Sequence, residues 1–240
     1  MKKINRKFVY SFIIMSFALI LNNACKKEDN NNPVIPATVI DIDGNVYHTV
    51  TIGTQVWMVE NLNTTRYSNG DTIPNVTDYT QWGHLTTDAY CNYSNSSGQA
   101  ITYGRLYNWY TINDPRKIAP AGWHIPYFSD WLKLMDYLGG DSIAGGKLKE
   151  TGTKHWRSPN YGASNETGFT ALPGGMRAGY NPIIHSYGFF GYILSYGLWW
   201  TASEAINDNA MYILMSDFSN STSYGYRSKE DGLSVRCIKD

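Results

Sequence analysis

Asn165-Glu166-Thr167-Gly168-Phe169-Thr170-Ala171-Leu172-Pro173-Gly174-Gly175-Met176-Arg177 is the stretch on which the fold class turns. Phe169 to Leu172 is an apolar run of strand length, with Gly168 before it and Pro173-Gly174-Gly175 after it, and such punctuation marks a short strand between turns. The same texture returns at Leu198 to Ala202, Met211 to Met215 and Leu233 to Ile238. Along Met211 to Met215 the period of two puts Tyr212 and Leu214 on one face and Met211, Ile213 and Met215 on the other, so one face is core.

Toward the start, Val39, Ile40 and Ile42 lead into Asp43-Gly44, and Val46, His48, Val50 and Ile52 then alternate. This predicts a β-hairpin with a type I′ turn, and Gln55 to Asn61 continues as a third strand. Thr64 to Gln99 is rich in Ser, Thr, Asn, Asp and Gly and reads mostly as loop. Two helices are predicted. Tyr103 to Ile112 places Leu106, Trp109 and Tyr110 at offsets of three and four, and Ser129 caps a second helix in which Trp131, Leu134, Met135 and Leu138 share a face before Gly139-Gly140 ends it. Strands outnumber helices and no fixed-period repeat occurs, so the class is α+β with mostly antiparallel short strands.

The N-terminal segment has a different composition. Lys2, Lys3, Arg6 and Lys7 precede an apolar run from Phe8 to Leu21, too short to span a bilayer comfortably, and Cys25 follows with Lys26, Lys27, Glu28 and Asp29 at once behind it. The order reads as a bacterial lipoprotein signal over residues 1–24, with Cys25 the lipidated residue and residues 25–37 a solvated tether. The Lys-plus-acid pattern after Cys25 resembles the export signal of Bacteroidetes surface lipoproteins, which implies an outer-membrane lipoprotein facing the extracellular side. Removing the leader takes away four cations and no acid. The remainder then carries 16 Lys and Arg against 20 Asp and Glu, a formal charge of −4. A mildly acidic surface without a basic stripe excludes nucleic acid as a partner.

Cys91 and Cys237 remain. An even pair in an exported domain predicts a disulfide between them, and the rival reading is a thiol nucleophile beside His84 or His124. Asp41, Asp43 and Asn45 alternate around Gly44 like the start of a calcium loop, but Ile52 stands where the closing Glu belongs, so no metal site is assigned. Trp123-His124 would make a site only with a second ionisable partner.

The motifs Tyr103-Gly104-Arg105-Leu106-Tyr107-Asn108-Trp109-Tyr110, Ala119-Pro120-Ala121-Gly122-Trp123-His124-Ile125-Pro126, Ala144-Gly145-Gly146-Lys147-Leu148-Lys149-Glu150, the 165–177 stretch and Gly232-Leu233-Ser234-Val235-Arg236-Cys237 come in an order that resembles the Fibrobacter succinogenes major paralogous domain. The resemblance covers residues 38–240. It implies a surface module with a fold similar to C-type lectins and formylglycine-generating enzymes, and it brings no catalytic residues and no cofactor. The Trp-Asn-Asp and Glu-Pro-Asn elements that hold calcium in sugar-binding C-type lectins are missing near Trp199 to Glu204. The paired thiols of the copper oxidase are missing too, since Cys237 stands alone near the end.

Recognition is expected on aromatic loops. Ala178 to Tyr196 interleaves Tyr180, His185, Tyr187, Phe189, Tyr192 and Tyr196 with glycines, and Asn207 to Arg227 carries Tyr212, Tyr224 and Tyr226. Tyrosine-dense loops bind with little entropy loss, and aromatic faces stack on sugar rings. The expected ligand sites are therefore Tyr180, His185, Tyr187, Phe189, Tyr192, Tyr224 and Tyr226. The expected partners are a glycan or a surface protein, together with the membrane through the lipid anchor. A polysaccharide-acting enzyme and a structural subunit of a surface assembly are the alternatives.

Overall fold

The computed structural model describes residues 37–181, 185–206 and 208–240. The leader, Cys25 and the tether up to residue 36 lie outside the described residues. The described residues fall in one unit, Pro36–Asp240.

The hairpin forms from β1 (Thr38–Ile40) and β2 (Val46–Ile52). Its turn is larger than a two-residue I′ turn, because Ile40 pairs with Val46 and leaves five residues between the strands. The buried Asp41 carboxylate closes this loop by accepting the N–H groups of Asp43 and Asn45 at 2.9 Å each and the Tyr47 hydroxyl at 2.5 Å. With β3 (Gln55–Met58), β6 (Trp123–His124) and β14 (Ile238–Lys239) the hairpin makes a five-stranded sheet in the order β1-β2-β3-β14-β6, so the domain's first and last strands share one sheet.

Five α-helices are described, not two. The short α1 (Tyr79–Trp82) lies in the loop-rich stretch. The predicted helix from Tyr103 to Ile112 is broken into α2 (Ser97–Tyr103), a strand β5 (Leu106–Tyr107) and α3 (Trp109–Ile112), with β5 paired to β4 (Tyr90–Cys91). Gly104 interrupts it at φ 75°, and the next backbone donors go to distant partners, Arg105 N–H to Leu62 O and Tyr107 N–H to Leu233 O. The offsets of three and four were thus a local coincidence that sheet hydrogen bonds override. The second predicted helix is present as α4 (Phe128–Tyr137), although its start is set by Asp130, whose carboxylate accepts the Tyr127 N–H at 2.8 Å, and not by Ser129. A further helix, α5 (Asp141–Leu148), runs through Gly145-Gly146. A Cβ at Gly145 would lie 2.3 Å from Ser221 O, and one at Gly146 would lie 2.4 Å from Gly162 O, so these glycines serve close packing of the helix on neighbouring backbone.

Two further strand pairs and a central sheet complete the described structure. The strands β7 (Met176–Arg177) and β10 (Phe190–Gly191) pair, as do β8 (Tyr180–Asn181) and β9 (Ser186–Tyr187). The three-stranded sheet holds β11 (Tyr196–Glu204), β12 (Asn209–Ser216) and β13 (Thr222–Ser228). All these ladders are antiparallel, and the class is mixed α+β with mostly antiparallel strands.

The central sheet is covered on both sides. Leu198, Trp200 and Ala210 enter one core cluster with Tyr107, Trp109 and Leu233, while Trp199, Ile213 and Met215 enter a second with Trp57, Trp131 and Phe169. The alternation read along Met211 to Met215 is therefore present, and β11 is apolar without alternation because both its faces are buried. Trp57 and Trp131 pack at 4.8 Å between ring centroids, and truncating either to Ala would cost about 3–5 kcal/mol.

The predicted Cys91–Cys237 disulfide does not form. Both thiols are free and buried, Cys91 in a small cluster with Trp82, Leu85 and Leu106, and Cys237 in the main core with Met58 and Tyr47. Each sits among apolar side chains of its own cluster, where the thiol behaves as a small hydrophobe.

Candidate functional site

A cleft of 200 Å3 opens on the central sheet, lined by Tyr192, Tyr196, Leu198, Tyr212, Leu214 and Arg227. Register places these side chains together. Leu198 lies opposite Leu214, Tyr212 opposite Gly225, and Ala210 opposite Arg227, and residues directly opposed in an antiparallel pair share a face. Gly225 leaves room for the Tyr212 ring, since a Cβ there would stand 3.1 Å from it.

Tyr192 comes from the turn before β11. It sits at φ 68° and Leu194 at φ 66°, a conformation uncommon for residues with a side chain. The turn is held by the N–H groups of Ser195 and Tyr196, which donate to Tyr192 O at 3.1 and 2.9 Å, and by Leu194 N–H to Pro173 O at 3.1 Å. The Tyr192 and Tyr196 rings meet edge to face at 5.1 Å, and Phe218 continues the series at 5.8 Å from Tyr196. Tyr192 is 50% exposed and Phe218 62%, so the rings offer their surfaces to solvent.

Arg227 closes one side. Its Nε donates to Asp231 Oδ2 at 2.6 Å, and its guanidinium lies 5.8 Å from the Tyr212 ring centre. The buried Asp231 is anchored again through Oδ1, which accepts the Gly179 N–H at 2.7 Å. Burial pushes the Asp231 carboxyl above its ordinary value, and Arg227 and the Gly179 N–H pull it back. The cleft can thus stack planar or apolar faces on tyrosines and offer guanidinium N–H donors at its edge.

Of the predicted ligand residues, only Tyr192 lines this cleft. Tyr224 and Tyr226 are opposite Ile213 and Met211, on the reverse face of the sheet, and Tyr224 packs on Phe128 at 4.7 Å. Phe189 is packed against the main core. Tyr180, His185 and Tyr187 form a separate surface patch, in which Tyr180 and Tyr187 lie 4.8 Å apart, His84 stacks on Tyr187 at 4.4 Å, and the Tyr180 hydroxyl meets His185 Nδ1 at 3.0 Å. Arg227 and Asp231 escaped the sequence reading. Their spacing of four in a strand-to-loop segment gives no periodic signal, and only the contact with Gly179 shows what Asp231 does.

A second cleft of 320 Å3 lies at the other end of β11, lined by Ala202, Trp123, His124, Tyr127, Lys117, Asp114 and Asp240 among others. His124 has the ionisable partners that the sequence did not identify. Its Nδ1 is 2.7 Å from Asp240 Oδ1 and its Nε2 is 3.6 Å from Asp130 Oδ2. Both ring nitrogens therefore face carboxylates and neither faces a thiol. The thiol-nucleophile alternative also fails on acidity, because burial pushes Cys91 up to about 12 and raises Cys237 as well.

Three fully buried cations from the glycine-rich motifs hold backbone carbonyls. Lys149 Nζ donates to the carbonyls of Tyr161, Ser216 and Ser219 at 2.7–2.9 Å. Arg177 reaches Val76, Thr77, Asp78 and Gly188, and Arg236 reaches Phe169 O and the Asn61 side chain. These motif residues build the scaffold. Among the described residues no group of three or more His, Cys, Asp or Glu side chains is placed to hold a metal ion, and no helix is long and apolar enough to cross a membrane.

No curated protein and no solved structure matches this chain. The family model described as the Fibrobacter succinogenes major domain matches residues 50–239, which takes in the buried-cation motifs, the central sheet, the first cleft and all of the second but Asp240, and the chain belongs to that family.

Proposed function

We propose that this protein is a non-catalytic cell-surface binding module that takes a glycan in the Tyr192–Tyr196–Tyr212–Arg227 cleft. The observation that carries the reading is the cleft itself: three tyrosines beside the buried Leu198 and half-buried Leu214 of the central sheet, with one guanidinium at the edge. The rings supply stacking faces and the tyrosine hydroxyls and Arg227 supply hydrogen bonds. Lipid attachment at Cys25 and display outside the outer membrane belong to the same reading and rest on residues 1–29 of the sequence. So does a C-type-lectin-like arrangement, supported by the meeting of the first and last strands in one sheet.

The test is a glycan array probed with the full chain solubilised in detergent, beside Tyr192→Ala, Tyr196→Ala and Tyr224→Ala. Binding that is lost in the first two and kept in the third supports the cleft. A folded protein that binds nothing on the array sinks the reading and favours a protein partner or a structural role. For the anchor, Cys25→Ala should leave the detergent phase for the aqueous one, and continued partitioning into detergent would refute lipidation at that residue.

A further inference from the structure

We infer that the cleft selects neutral sugars and discriminates against glycans bearing carboxylate or sulfate groups. The inference rests on the glycan reading of the cleft and sharpens it. Arg227 is the only charged side chain among the described residues that line the cleft. An isolated guanidinium beside tyrosines would invite an anion, because its planar fork matches carboxylate and sulfate oxygens. Here the charge is already matched. Asp231 stands 2.6 Å behind it, is 6% exposed, and is fixed from its other oxygen by the Gly179 N–H, so it cannot swing away when a ligand arrives.

A ligand anion placed on the outer edge of Arg227 would feel the guanidinium and, a few ångströms further, the opposing carboxylate. By Coulomb's law the carboxylate offsets roughly half of the guanidinium's attraction, while the anion's own desolvation cost remains in full. A sugar hydroxyl loses little in the same place, because it needs only the N–H donors that the Asp231 contact leaves over, since Asp231 takes Nε and the Nη groups remain. The formal charge of −4 on residues 25–240 adds a weak, long-range repulsion of polyanions.

The experiment compares neutral, uronic-acid and sulfated oligosaccharides of matched length on the full wild-type chain, from about 0.01 M to about 1 M ionic strength. Neutral sugars should bind at least about tenfold more tightly than either acidic class, with affinity nearly flat across the salt range. Asp231→Asn removes the neutralising charge, and because its one amide oxygen cannot serve both Gly179 and Arg227 the readout is the ratio of the classes: acidic ligands should gain about tenfold relative to neutral ones at low salt. Equal or preferential binding of acidic glycans by the wild type overturns the inference while leaving a glycan-binding cleft in place. No binding by any class overturns the glycan reading itself. The wild-type salt profile decides the matter even where Asp231→Asn fails to fold.

Discussion

Arg236 donates from Nη2 to the Oδ1 of Asn61 at 2.8 Å, and that same oxygen accepts the Arg236 Nε at 3.2 Å and the Trp199 indole N–H at 2.8 Å. Asn61 in turn donates from Nδ2 to Tyr103 O at 2.8 Å. One amide therefore joins the segment after β3, the end of α2, the middle of β11 and the chain just before β14. The guanidinium stacks on Phe169 at 4.3 Å and donates to its carbonyl, and among the described residues no carboxylate forms an ion pair with it. Burial lowers its pKa to about 9, with Glu60 opposing, so it stays charged at neutral pH.

Arg236→Lys should destabilise the fold by about 3 kcal/mol, because an ammonium cannot reproduce the fork that serves Asn61 and Phe169 together. Urea unfolding would show a lower midpoint at an unchanged slope. A loss under about 0.5 kcal/mol would mean that the amide node contributes little.

Lys149 gives a pH-dependent prediction. Burial lowers its ammonium to about 8, with Asp217 opposing, whereas the unfolded chain holds the proton up to about 10.4. Between these values the unfolded state binds more protons than the folded one, so this residue makes stability rise with pH from about 8 to about 10. Lys149→Met should lower stability at neutral pH, since the carbonyls of Tyr161, Ser216 and Ser219 lose their donor, and it should also abolish that rise. Parallel pH profiles for the two proteins across this window would rule out the titration.

The cysteines predict a simple count. In the native full chain neither Cys91 nor Cys237 should react with a thiol reagent at neutral pH, because both are buried and their thiols stay protonated. Both should react after unfolding without reductant. An unfolded, unreduced chain in which these two thiols stay silent would restore the disulfide.

Gly225→Ala should narrow the cleft without unfolding it. The added methyl meets the Tyr212 ring at 3.1 Å and pushes it by a few tenths of an ångström, a change that costs about 1–3 kcal/mol where packing is tight and less at this open edge. Titration with a ligand found on the array should show weaker binding than wild type, while Tyr226→Ala, on the reverse face, should bind as wild type does. Equal loss in both variants would place the site elsewhere.

Much of the frame was legible because it is written in neighbours. The hairpin, α4 and the two faces of Met211 to Met215 follow from periods of two and 3.6, which the chain carries locally. The Tyr103–Ile112 helix failed for the converse reason: Gly104, with backbone bonds to Leu62 and Leu233, outweighed a helical spacing. Likewise α5 was hidden by Gly145-Gly146, whose reason for being there is the backbone of Ser221 and Gly162 lying against them.

The sequence by itself determined an α+β chain of short antiparallel strands, its family and the existence of aromatic-rich surface segments, since composition, glycine punctuation and local periodicity suffice for those. Only the tertiary structure decided that Tyr192 meets Tyr196, Tyr212 and Arg227 while Tyr224 and Tyr226 face away, that Cys91 and Cys237 lie in separate apolar clusters, and that Lys149, Arg177 and Arg236 spend their charge on backbone carbonyls and amides. Strand register fixes which side chains share a face, and contacts between residues as much as 175 positions apart in the chain fix which buried groups become partners.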